Sequence, residues 1–150
     1  MRDAPRLPVW LGRAAILPQF GMLCVVYLGP PEWHGPARIL GLNLAALGLS
    51  FVGGAWWGFA AGAPAAERRN ALGWLWVAAA LMLLVALSCL AIGALQVAAI
   101  EAALVMLGAG ALVSLGVDAR LGALAPRWWM PWRVPLAILS GTATILLALA

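Results

Sequence analysis

The chain is a series of long apolar runs separated by short polar interruptions. A helix needs roughly 20 apolar residues to cross the hydrocarbon of a bilayer, and the runs come close to that length. The polar lead MRDAPRLP, with its two prolines, is expected to be irregular. The first span is predicted over about Val9–Leu28. Arg13 lies near enough to its start to reach the headgroups. Pro18 falls mid-run, where its missing N–H should kink the helix. GPPEWHGP, residues 29–36, has three prolines, two glycines and no apolar period, and reads as a turn. A second span follows from about Ala37 to Ala61, and Glu67, Arg68 and Arg69 close the loop after it.

Between Asn70 and Val117 one charge appears, Glu101. A single helix of those roughly 48 residues would be about 72 Å long at 1.5 Å per residue, so the segment must fold back once. Gly93 is the expected hinge, with spans at about 71–92 and 95–116. Residues 118–133, DARLGALAPRWWMPWR, hold two prolines and three tryptophans and read as a segment lying along the interface. A last, short span is expected over about 134–150.

The second run carries a further pattern. Ala46, Ser50, Gly54, Gly58 and Gly62 recur at every fourth position. Residues four apart share a helix face, and a face without side chains lets another membrane helix approach closely. This row is the expected packing seam of the bundle, within the chain or against another.

Composition agrees with a membrane chain. Hydrophobic residues make up 65% of it and charged residues 9%, with mean hydropathy +1.01. Soluble domains are nearer 25% charged. The expected fold is therefore all-α, one membrane domain over 1–150 built as a bundle of five transmembrane helices. The net charge of +4 comes from arginines placed where spans end, not from a patch that tracks phosphates, so no nucleic-acid partner is expected. Five spans put Arg2, Arg6, Arg13, Arg68, Arg69, Arg120, Arg127 and Arg133 on one side and Arg38 alone on the other. By the positive-inside rule that side is cytoplasmic, with the C-terminus opposite. Every tryptophan except Trp33 falls at the same inner boundary. Arg13 and Pro18 interrupt the first run and no small-residue cleavage site follows, so it is expected to be retained. Cys24 and Cys89 lie in apolar runs and read as free thiols.

Few residues could carry chemistry. Glu101 lies about five residues inside the fourth span, and Asn43 about six inside the second from the same side. A hydrogen bond between them is expected, with Arg38 near enough for an ion pair. Ionisable groups at membrane depth usually have a partner or a function, so Glu101 is either a proton- or ligand-binding carboxylate or an interhelical clamp. His34, the sole histidine, is expected in the outer loop, and no metal site is expected, since one histidine and distant thiols cannot supply a ligand set. Ser50, Ser88, Ser114, Ser140, Thr142 and Thr144 lack a histidine partner and read as hydroxyls bonded to carbonyls a turn back. Trp56 and Trp57, with Arg127, Trp128, Trp129, Trp132 and Arg133, either anchor the helices at the headgroups or contact an anionic lipid, a quinone head or a partner.

Ser50-Phe51-Val52-Gly53-Gly54-Ala55-Trp56-Trp57-Gly58 resembles the S-F-L-G-G-x-x-W-G signature of the bacterial relatives of eukaryotic transmembrane protein 69, a domain-of-unknown-function family. Pro126-Arg127-Trp128-Trp129-Met130-Pro131-Trp132-Arg133 resembles the family's P-x-W-Y-x-x-L-R segment, and Asp118 fits its acidic position. Here Trp129 stands for the usual Tyr, Trp132 for Leu, and Trp56 for a position often His or Arg. The resemblance runs from Gly12 to the last span. It implies a small integral membrane protein of no established activity.

The expected function is non-catalytic: an accessory subunit or assembly helper of the bacterial inner (cytoplasmic) membrane, needing no cofactor and docking on other integral membrane proteins among the membrane lipids. The alternative is a small transporter or a lipid- or quinone-binding protein that uses Glu101 and Asn43.

Overall fold

The computed structural model describes residues 6–63, 71–95 and 99–150. Among these there is no strand, and five helical stretches are long and apolar enough to cross a membrane. The first is broken in two, α1 (Arg6–Ala14) and α2 (Leu17–Leu28). The remaining four are α3 (His34–Ala61), α4 (Gly73–Leu95), α5 (Ile100–Asp118) and α6 (Trp129–Leu149). The break at Ala15 and Ile16 sits just ahead of Pro18, which occupies the first turn of α2, where a missing N–H leaves no carbonyl unserved.

α5 packs most extensively on α6, and α3 on α4, while α1 rests lightly on α2 and α6. The buried core divides along the bundle. One end holds small and aliphatic residues such as Val26, Ala46, Ala86, Cys89, Leu104 and Leu147. The other end, where α3 and α5 finish and α6 begins, holds Val52, Trp56, Leu75, Trp129 and Trp132. Cys24 and Cys89 are free thiols, the first exposed and the second buried.

The expected seam is corrected by the structure. Ala46 is buried and Ser50 half-buried, but Gly54, Gly58 and Gly62 are exposed. No neighbouring helix lies within 4 Å of where a Cβ would sit on Gly54 or Gly58. The cause is the helical period. Four residues turn the helix by about 400°, so an i, i+4 row drifts about 40° per step and five members wind through about 160°. The face that packs is Ala46, Leu49, Gly53, Trp56 and Ala60, alternating steps of three and four. Its close approach is at Gly53, where a Cβ would lie 2.9 Å from the Ala79 carbonyl oxygen of α4.

Three other expectations change. Gly93 is not a hinge: it lies inside α4, and its bare face receives the side chain of Leu42. This helix ends at Leu95 and α5 begins at Ile100; residues 96–98 lie outside the described residues, as do Glu67, Arg68 and Arg69. His34 is the first residue of α3 rather than a loop residue, and its Nε2 donates to the Gly29 carbonyl oxygen at 3.2 Å. The segment before the last span is shorter than expected, because α6 starts at Trp129. Pro131 then stands in the first turn, where the backbone N–H has no helical partner to lose.

Candidate functional site: a buried carboxylate and the cavity beside it

Asp118 ends α5, where the negative end of the helix dipole opposes a carboxylate. It is fully buried all the same, and its neighbours supply the compensation. Trp56 Nε1 of α3 donates to Oδ1 at 2.8 Å, and Trp129 Nε1 of α6 donates to the same oxygen at 3.0 Å. Arg133 Nε stands 3.1 Å from Oδ2. That contact is an ion pair and not an aligned hydrogen bond, since neither atom has a hydrogen-bond partner. Arg133 Nη2 donates to Ser114 Oγ at 2.7 Å, and Ser114 donates in turn to the Ala111 carbonyl oxygen at 2.6 Å.

The local sequence explains this ladder. Ser114 and Asp118 are four apart on α5, and Trp129 and Arg133 are four apart on α6, so each pair shares a face. The helices run antiparallel, which sets Ser114 opposite Arg133 and Asp118 opposite Trp129. The charges cancel, and the buried ion pair joins the two helices where apolar packing alone would leave their rotation loose.

Arg133 also borders a cavity of about 510 Å³ bounded by the broken first span, α3, α5 and α6. Such a volume lies within the range of small-molecule sites. Most of the wall is apolar, formed by residues such as Ile16, Leu49, Val52, Leu107 and Leu136. Leu11, Ala15, Gly48 and Phe51 border it and are exposed, so it opens sideways between the first span and α3. Its polar members are Gln19, Trp132, Arg133, Ser140 and Thr144. Gln19 is 4% exposed and its Nε2 donates to Thr144 Oγ1 at 2.9 Å, but its Oε1 has no partner. Trp132 Nε1 is likewise buried without a partner. Gly12 has no side chain here because a Cβ would meet the Trp132 ring at 2.5 Å.

The residues read as an interfacial patch are mostly internal. Trp56, Trp129, Trp132 and Arg133 are buried against one another and against Asp118, whereas Trp57 and Arg127 are exposed and Trp128 is half-buried. Trp57 packs edge-on to Trp76 with centroids 4.5 Å apart. The expected intramembrane cluster is also revised. Arg38 and Glu101 form an ion pair at 3.6 Å, but the Glu101 side chain is 63% exposed, and Asn43 is exposed on another face without bonding to Glu101. Asn43 is five positions after Arg38, about 140° round the helix, and so it is turned away from Glu101.

Reasoning from residue types passed over Gln19 and reached Asp118 only through a family resemblance. A detectable signal existed for both. Gln19 is an amide in the middle of an apolar run, and Asp118 stands one turn from Ser114, facing a tryptophan and an arginine of the same spacing.

The model of the family described as "Protein of unknown function (DUF3429)" matches residues 4–149. The chain belongs to that family. No curated protein and no solved structure matches it. Both the ladder and the cavity of this family member lie inside the matched region.

Proposed function

We propose that this is a non-catalytic multi-pass membrane protein that takes a lipid-like molecule from the bilayer into its cavity. The observation that carries this reading is the cavity itself: apolar over most of its wall, open sideways between the first span and α3, and with few polar residues, among them Gln19, Arg133 and Thr144, in its lining. The arginine-rich end is assigned to the cytoplasm by the positive-inside rule, and a bacterial inner membrane is the setting that the resemblance to bacterial relatives of transmembrane protein 69 suggests.

Purification in mild detergent followed by native mass spectrometry tests this. Wild-type protein should carry a lipid-sized mass. Gly48→Phe, which adds a ring at a position with no neighbour within 4 Å, should lose that mass while remaining folded by circular dichroism. Wild-type protein with nothing bound would refute it.

A second reading is supported by the outward glycines. Gly54 and Gly58 leave α3 bare beside exposed Phe51 and Trp57, a surface suited to docking on another membrane helix as an accessory subunit would. Crosslinking from Cys introduced at residue 58 checks it, with capture of another membrane protein expected.

A further inference from the structure

A second space lies on the other side of the first span, between it and α6. This groove of about 340 Å³ is walled by apolar residues, among them Leu17, Phe20, Pro131, Pro135 and Leu139, and its one charged residue is Arg13. Arg13, Leu17, Pro131, Pro135 and Leu139 are all exposed, so the groove is open along the outside of the bundle. Ile16, Trp132 and Leu136 border both this groove and the larger cavity, and so stand between the two spaces.

Arg13 keeps its charge at any physiological pH, and among the described residues no carboxylate pairs with it. Its guanidinium carbon lies over the Trp10 ring, 5.8 Å from the centroid, three residues earlier on the same face of α1. A planar guanidinium held against a ring keeps its N–H donors in its own plane, where an oxyanion can meet them. Depth also fits. Gly12, the preceding residue, lies against the Trp132 ring, and Trp132 is the fourth residue of α6. That is about 5 Å inside the helix end, within reach of the headgroups for a side chain whose apolar stem lies along the groove. Leu139 is seven residues further along α6, about 10 Å deeper. The apolar wall therefore descends from Arg13 toward the middle of the bilayer.

We propose that this groove holds an anionic phospholipid, its phosphate on Arg13 and one acyl chain against Leu17, Phe20 and Leu139. Charge complementarity selects the occupant. An apolar helix laid in the groove would leave the guanidinium unmatched, whereas a phospholipid brings anionic oxygens and then hydrocarbon, in the order in which the groove presents arginine and apolar wall. A zwitterionic lipid carries the same phosphate with a cation attached, and gains less from Arg13. The site is separate from the cavity beside α3 and stands whether or not that cavity is filled.

Full-length protein in mild detergent is equilibrated with phosphatidylglycerol and with phosphatidylcholine of the same acyl chains, and retained lipid is counted by native mass spectrometry. Phosphatidylglycerol should be retained about fivefold better, the ratio that one arginine near an anionic headgroup contributes. Arg13→Gln should bring the ratio close to one. Arg127→Gln, at an exposed arginine that does not line the groove, should leave it unchanged. Leu17→Trp, which fills the groove, should lower retention of phosphatidylglycerol with Arg13 intact. Gly48→Phe, in the wall of the other cavity, should leave the preference in place. Equal retention of the two lipids by wild type would overturn the proposal. So would a preference that survives Arg13→Gln or Leu17→Trp, falls as far in Arg127→Gln, or disappears in Gly48→Phe.

Discussion

Gly108 of α5 and Gly141 of α6 lie back to back. A Cβ on Gly108 would stand 2.7 Å from the Gly141 carbonyl oxygen, and one on Gly141 would stand 2.9 Å from the Gly108 carbonyl oxygen. Backbone here meets backbone, with the Ile145 and Leu112 side chains crowding the same points, so moving a side chain aside would not by itself make room. Gly108→Val or Gly141→Val should therefore destabilise the bundle by about 1–3 kcal/mol, the usual range for overpacking. Gly54→Val and Gly58→Val, at positions open on the outside, should change little. Unfolding titrations in mixed detergent micelles check this, and equal losses at all four sites would refute the assignment of the seam.

The Asp118–Arg133 pair yields a sharper test. Removing one charge from a buried pair leaves the other uncompensated and costs about 3–5 kcal/mol. Asp118→Asn and Arg133→Gln should each show a loss of that order, and the double variant should lose clearly less than their sum. Strict additivity in a four-protein unfolding cycle would mean that the two charges do not sense each other.

Asp118 Oδ1 takes both indole protons. Trp129→Phe removes one donor and should cost about 1–3 kcal/mol. Trp56→Phe should cost more, because Trp56 is fully buried and the smaller ring also leaves a void. The same unfolding titration ranks them, and a reversed order would show that Trp129 contributes more than the packing and hydrogen bond of Trp56 together.

Glu101 should matter little to stability. Its side chain is 63% exposed and its ion pair with Arg38 is 3.6 Å long. Exposed pairs contribute about 0–1 kcal/mol, so Glu101→Gln should unfold within about 1 kcal/mol of wild type. A loss comparable to that of Asp118→Asn would show that the membrane buries this carboxylate more deeply than its place on α5 indicates.

The sequence alone determined that the described chain has five helices long and apolar enough to cross a membrane, because spanning length and hydropathy are local quantities that each run carries by itself. The break just ahead of Pro18 belongs to the same class, since proline chemistry acts within one turn. Which side of α3 meets its neighbours did not. A spacing of four looks like a stripe over two turns and winds off the face over four, so Gly53 and not Gly54 touches α4. The site was further out of reach. Asp118, Trp56, Ser114, Trp129 and Arg133 come from three helices, and their meeting depends on how α5 and α6 cross at Gly108 and Gly141. The same holds for the cavity and the groove on either side of the first span: their walls come from separate helices, and only packing sets those side chains side by side.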